Sequence, residues 1–337
     1  MQANTTPSAE ALKKLGISPE ELQPASAEEK AMNDQMRPSI SYWKDAMRRF
    51  TRNKLAMVML AILLIIILAA IFGPVISPYT YKGQSVDVRQ GPSFAHPFGT
   101  DKLGRDIFVR VMYGTRISLL VGVVTMVLVC LIGITYGAIA AYVGGLCDNL
   151  MMRFVDLMMT VPSMLIIILL SVVMRDPLKE LMANPKMTVF ASMGSGLISI
   201  FIVLALFNWL GMARSVRGAL LMNRNQEYVL AAESMGAKSK WVIKRHLLPN
   251  SIGVIIISAT GVVPSAIMTE SFLSFIGLGV AAPVPSLGSM ASDALNGIIS
   301  YPLNMVYPAV IISLIILCFN VLGDALRDAL DPRMRKC

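Results

Sequence analysis

The chain has 337 residues, of which 55% are hydrophobic and only 15% charged, with a formal net charge of +9. A soluble domain of this length carries roughly a quarter charged residues because its surface must be wetted, so the composition excludes an ordinary soluble fold and points to a membrane protein. The four cysteines show no Cys-x-x-Cys spacing and read as packing residues, not as a disulfide framework or a metal site.

Residues 1–40 are rich in Ala, Ser, Pro, Glu and Lys and read as a flexible or weakly helical cytoplasmic tail. Lys44, Arg48, Arg49, Arg52 and Lys54 follow and lead into the apolar run Leu55–Phe72. That run is long enough to cross about 30 Å of hydrocarbon at roughly 1.5 Å per residue. Basic residues before a first span hold that end in the cytoplasm, and here they serve as a topological signal and not as a nucleic-acid site. The polar residues ahead of the run make it a span or signal anchor, not a cleaved leader.

Five further apolar runs follow: Ile117–Tyr142, Leu157–Met174, Thr188–Ala213, Ser251–Thr269 and Met305–Leu322. Each is expected to be helical, because lipid offers no partner for backbone N–H and C=O groups. The prediction is an all-α membrane protein with six transmembrane helices and both termini cytoplasmic. The basic loop at 214–249 and the basic tail (Arg327, Arg333, Arg335, Lys336) agree with that orientation. Residues 77–116 dissent, for they fall outside yet carry Lys82, Arg89, Lys102, Arg105, Arg110 and Arg116. Residues 271–292 are uncharged but broken by Gly and Pro, which predicts a re-entrant or surface-lying segment and not a seventh span.

The longest inside connection, 223–250, reads as two short helices. Glu227–Met235 is followed by Gly236 at a position suited to positive φ, Ser239 is placed to cap a second helix, and Pro249 suits the first turn of the next membrane helix. Ala231 and Ala232 would let another protein approach closely, whereas a basic helix lying on anionic headgroups would explain neither the paired alanines nor Trp241.

This segment resembles the EAA loop of ABC-importer permeases. The resemblance is carried by Leu230, Ala231, Ala232, Gly236, His246, Leu248 and Pro249, with Leu230 in place of the name-giving Glu and His246 where an aliphatic residue is common. His96–Gly122, Thr269–Met290 and Asp324–Arg333 resemble the dipeptide/oligopeptide/nickel permeases, closest to the C-type subunit. The resemblance implies a type I ABC-importer permease fold with a cytoplasmic coupling helix in a bacterial plasma membrane. Its parts would be a tail at 1–54, a first helix at 55–76, an external loop at 77–116, a permease core at 117–323 with the coupling loop 214–249, and a cytoplasmic tail at 324–337. It further implies a second, B-type permease, two ATPase subunits and an extracellular or periplasmic substrate-binding protein as partners, with peptides as first cargo and nickel or another small solute behind.

No Gly-x-x-x-x-Gly-Lys-Ser/Thr sequence occurs, so ATP and Mg are expected in the partners, with no cofactor, metal or catalytic residue in this chain. An ion-coupled secondary transporter would carry acids or His in mid-span, which these runs lack. A serine nucleophile at Ser195 would need a nearby histidine, and His96 and His246 fall outside the spans on opposite faces. Glu270 is either a gate residue or a structural anchor paired with an arginine of 101–116 or with backbone amides. Ser258, Thr260, Ser265, Thr269 and Ser274 either line a polar path or bond back to their own helix or bridge to neighbours. The Asp101–Asp106 cluster either receives a delivery protein or forms an internal ion-pair network.

Overall fold

Backbone polar groups in lipid must be satisfied within their own segment, and the computed structural model, which describes residues 42–182, 194–280 and 282–330, meets this with helices. Its one isolated β-bridge among the described residues joins Thr100 to Asp106. The expected tail at 1–40, the first residues of the run Thr188–Ala213 and the end of the C-terminal tail lie outside the described residues. The chain divides into two units between Asp45 and Ala46, inside helix α1 (Tyr42–Arg52), and everything below concerns the larger one.

Among the described residues, five helices are long and apolar enough to cross a membrane: α2 (Lys54–Ile76), α3 (Ile107–Val143), α7 (Ser195–Arg224), a continuous rod Ser239–Phe275, and α12 (Leu303–Leu330). Between α3 and α7 come α4 (Gly145–Thr160), α5 (Ser163–Val173) and α6 (Arg175–Met182). Sequence reading places a straight span over Leu157–Met174, but α4 and α5 meet there at 83°. The break has a local cause. Pro162 restricts the residue before it, and Val161 is extended at φ −80°, ψ 133°. The pair supplies a sixth crossing if both halves count as one span.

Helix α3 is the spine, because it contributes to all three apolar clusters: Val129 to one, Val121 to the second, and Ile107 and Val111 to the third. Its most extensive contact is with α7. Gly133 and Gly137, one turn apart, make that contact possible. A Cβ on Gly137 would lie 2.5 Å from the Ala213 carbonyl oxygen, and one on Gly133 would lie 2.6 Å from the Met212 side chain.

Proline in α2 is also accommodated from α3. Pro74 has no N–H for the carbonyl of Ala70 one turn earlier. The Arg116 guanidinium donates to the Ala70 and Ile71 carbonyls instead. One of the basic residues that dissent from the expected orientation is therefore engaged inside the fold.

Residues 77–106 form a hydrogen-bonded cap and not a loose loop. The Ser85 N–H and hydroxyl both donate to the Gly104 carbonyl, and the Thr100 hydroxyl donates to Asp87 O at 2.6 Å. Buried Asp106 does two things. One carboxylate oxygen caps α3 by accepting from Val109 N at 2.7 Å, and the other meets His96 Nδ1 at 2.7 Å.

Candidate functional site

The segment 223–250 folds as α8 (Glu227–Ser234), a turn at Gly236, and α9 (Ser239–Val242). Gly236 sits at φ +81°, with its N–H bonded to Glu233 O at 2.9 Å and the Ala237 N–H bonded to Ala232 O at 3.1 Å. These two bonds are a Schellman closure, which needs a left-handed residue that L side chains adopt only at a cost. The extended backbone that starts α9 falls at Lys238, one residue before the expected cap, so Ser239 is already helical and its side chain makes no capping bond.

Pro249 stands in the first turn of the next helix, as expected, but that helix does not start afresh. The proline lacks the N–H that would bond the Arg245 carbonyl, and the ladder just before it widens into a π-helical turn, Ile243–Leu247, where Leu248 N bonds Ile243 O. Helix α10 (Leu248–Phe275) therefore continues the line of α9, giving the rod that runs from Ser239 to Phe275.

The paired alanines separate. Ala232 is only 3% exposed, while Ala231 faces outward with Leu230 at 51% and Trp241 at 50%. Below them Val229, Val242 and Leu247 are fully buried in one cluster with Trp209, Leu210, Val216 and Leu220 of α7. Burial of each such side chain is worth about 1.5–3 kcal/mol, so the inner face of the segment is bound to the bundle while the outer face stays free. Ala232, Met235, Gly236, Ala237, Lys238 and Trp241 line a shallow recess on that outer side. His246 lies between Trp241 and Tyr228, with ring centroids 4.9 and 5.8 Å away, and its Nε2 is buried without a hydrogen-bond partner.

Polar bonds fasten the segment to α3 and α10. Arg224 Nη1 donates to Ala141 O at 3.0 Å, one of the carbonyls left open at the end of α3. The Tyr142 hydroxyl donates to Glu233 at 3.2 Å, and Asn223 Nδ2 donates to the Ser251 hydroxyl at 3.0 Å. Deeper along α7, Arg217 grips Asp148 of α4 with two bonds of 2.5 Å, and Arg214 reaches Asp156 at 2.5 Å. None of these partners is signalled by local sequence; each joins residues that the fold alone brings together.

Glu270 is 0% exposed near the far end of α10. Its partners are neither arginine nor backbone amides, as expected for an anchor, but serine hydroxyls. Ser118 of α3 and Ser274 each donate at 2.8 Å, and Ser271 lies at 3.4 Å. Ser274 Oγ in turn accepts from the Val280 N–H at 3.2 Å, so the carboxylate joins α3, α10 and the turn beyond.

The hydroxyl candidates divide by face. Val254, Gly261, Ser265 and Met268 form an exposed stripe on α10, with half-buried Ser258 in register. Thr269 bonds back to Ser265 O at 2.9 Å, and Thr260 bonds back to Ile257 O at 2.9 Å. Thr260 points elsewhere, against Gly323 of α12. After Phe275 the rod ends in another Schellman closure at Gly277, and the expected re-entrant or surface-lying stretch contains a short helix, α11 (Leu287–Leu295).

The Asp101–Asp106 cluster is an internal network. Arg105 Nε donates to Asp101 at 2.7 Å, and Asp293 stands 3.6 Å from Lys102 and 3.8 Å from Arg110.

Comparison with known proteins agrees with this architecture. The family model for the binding-protein-dependent transport system inner membrane component matches residues 133–336, and that for the N-terminal TM domain of oligopeptide transport permease C matches 41–97. The oligopeptide transport system permease protein OppC of Bacillus subtilis is 46% identical over 315 residues, covering 93% of this chain and 97% of the relative. The dipeptide transport system permease protein DppC of the same organism is 46% identical over 302 residues, covering 89% and 88%. OppC of Escherichia coli K12 is 37% identical, covering 88% and 92%. Among solved structures, a chain of the MetNI methionine ABC transporter in an inward-facing conformation aligns with a TM-score of 0.52 at 17% identity, over 67% of this chain and 96% of that one.

Proposed function

This chain belongs to the family of binding-protein-dependent transport system inner membrane components, as a C-type dipeptide/oligopeptide permease, and on that premise we propose that it carries di- and oligopeptides across the bacterial plasma membrane, driven by ATPase subunits that dock on residues 223–250. The protein is a multi-pass inner-membrane subunit. The proposed assembly adds a second permease, two ATPases holding ATP and Mg, and a substrate-binding protein on the opposite side.

One observation carries the coupling role. The outer face of 223–250 is free, while its inner face is built into the bundle through Val229, Val242 and Leu247. A push on Leu230, Ala231, Gly236 or Trp241 cannot be absorbed locally, because α9 and α10 are one rod. From Trp241 to Glu270 that rod is about 44 Å long at helical rise. His246, Leu248 and Pro249 sit at the π-helical turn, the irregular point of the rod. Two packings of such a bundle, open to one side or the other, give the states that ATP binding and hydrolysis would bias.

The proposed orientation has six spans, α4–α5 forming one, with 77–106 outside and 223–250 in the cytoplasm. Two of the dissenting charges at 77–116 do not oppose it, since Arg105 bonds a carboxylate and Arg116 backbone carbonyls of the fold. Ser258, Ser265 and Thr269 are proposed to border the path, with Glu270 and its serines holding the outer ends of α3 and α10 together; Thr260 is assigned to packing on α12.

The test is reconstitution with the second permease and both ATPases in proteoliposomes, with the binding protein and radiolabelled trialanine supplied outside. Uptake is expected with internal ATP and absent when the ATPases are omitted. Uptake that follows an ion gradient without ATP would sink this reading.

A further inference from the structure

A recess lies between the cap formed by residues 77–106 and the turn that joins α11 to α12, lined among others by Arg89, Lys102, Arg105, Arg110, Asp293 and Tyr301. Its cavity volume is about 60 Å³, enough for a small polar group and too little for a whole drug-sized ligand. Four cationic side chains line it against two carboxylates, Asp101 and Asp293.

Arg110 sets its chemistry. The residue is 4% exposed, yet its Nε and Nη1 have no hydrogen-bond partner. The two acids attract it without satisfying it. Asp101 is occupied by Arg105 Nε at 2.7 Å and by the N–H groups of Leu103 and Arg105, leaving Arg110 Nε 3.8 Å away. Asp293, 49% exposed, stands 3.6–3.9 Å from Lys102, Arg105 and Arg110, beyond hydrogen-bond reach of each. A buried guanidinium with open donors is costly unless something accepts from it. A carboxylate takes the Nε–H and Nη2–H of a guanidinium in two parallel bonds, and here Nε is open while Nη2 stands 3.8 Å from Asp293.

We propose that this recess is a receptor for the C-terminal carboxylate of the transported peptide, with Arg110 as the central donor and Lys102 and Arg89 supplying surrounding positive charge. The inference rests on the peptide-permease reading above. A terminal carboxylate is the one anionic group every linear peptide carries whatever its side chains, and the recess takes a group of that size with the rest of the ligand outside.

The test uses the purified assembly of both permeases and ATPases, without ATP and without the binding protein. The probes are N-terminally fluorescein-labelled trialanine and its C-terminal amide, and binding is followed by anisotropy. The free acid is expected to bind about tenfold or more tightly than the amide, and Arg110→Gln is expected to erase that preference. Should Arg110→Gln fail to assemble, Gly297→Leu replaces it. Gly297 lines the recess, and a Cβ there meets only ordinary contacts, 3.8 Å from Tyr301, so the longer side chain fills the recess without removing a charge.

Equal binding of acid and amide by the wild type, or a preference that survives both variants, overturns the proposal. Variants that leave the acid-over-amide preference intact but weaken docking of the binding protein, read in a separate co-sedimentation with that protein added, overturn it as well and assign the recess to an acidic side chain of that partner. Binding without ATP stays readable if ATP-driven uptake is never observed, and equal uptake of acid and amide would spare the transport reading while removing this one.

Discussion

The residue whose role is most local is Gly236. A Cβ there would meet nothing within 4 Å, so space is not the constraint; the constraint is φ +81°. A left-handed L residue costs about 1–2 kcal/mol, with Asn among the exceptions. Gly236→Val is therefore expected to loosen the α8–α9 turn and strongly reduce ATP-driven peptide uptake, while Gly236→Asn retains most of it. Both proteins should insert normally. Measured uptake in proteoliposomes that is equal for Val and wild type would remove the turn from the coupling mechanism. This glycine was legible because a Schellman closure is a property of a few consecutive residues. Ala231 and Ala232 were legible only as a pair; which one faces outward depends on how α8 rolls against α7, and no local signal states that.

Among elements, the α3–α7 contact is exposed to a single change. A Cβ on Gly137 would sit 2.5 Å from a backbone oxygen, which cannot swing aside as a side-chain tip can. Gly137→Val is expected to force the helices apart and destabilise the purified protein by about 1–3 kcal/mol or more. Gly211→Ala, on α7 with nothing within 4 Å of its Cβ, should be close to neutral or slightly stabilising in the same thermal unfolding measurement. Equal losses for the two would mean that helix propensity and not close approach governs these positions. Gly133 and Gly137 have the spacing of a close helix contact, but nothing near them in the sequence names their partner on α7. The straight span expected over Leu157–Met174 rests on run length alone, and Pro162 within that run is where the helix bends.

For the molecule as a whole, the proposed orientation makes a direct prediction. In a background with the native cysteines replaced, Val86→Cys in the cap and Met235→Cys in the 223–250 segment both present exposed positions, at 96% and 83%. A membrane-impermeant maleimide is expected to label the first in intact cells and the second only in inverted vesicles. The opposite pattern would reverse the topology, and with it the side from which an ATPase can act. Both positions labelling from one side would break the six-span arrangement.

Amino-acid order alone was enough to specify the membrane class, the runs that become α2, α3, α7, α10 and α12, and a helix–glycine–helix between two of them. These depend on run length, charge spacing and turn chemistry, all of which act over a few residues. Tertiary structure decided the rest: that serine hydroxyls and not arginine hold Glu270, that Arg116 serves the carbonyl stranded by Pro74, that 223–250 shares a core with α7, and that Arg110 is buried with donors left open. Each of these is a meeting of groups far apart along the chain or a matter of geometry within the folded bundle, and such partners exist only once helices with apolar faces have packed at definite angles.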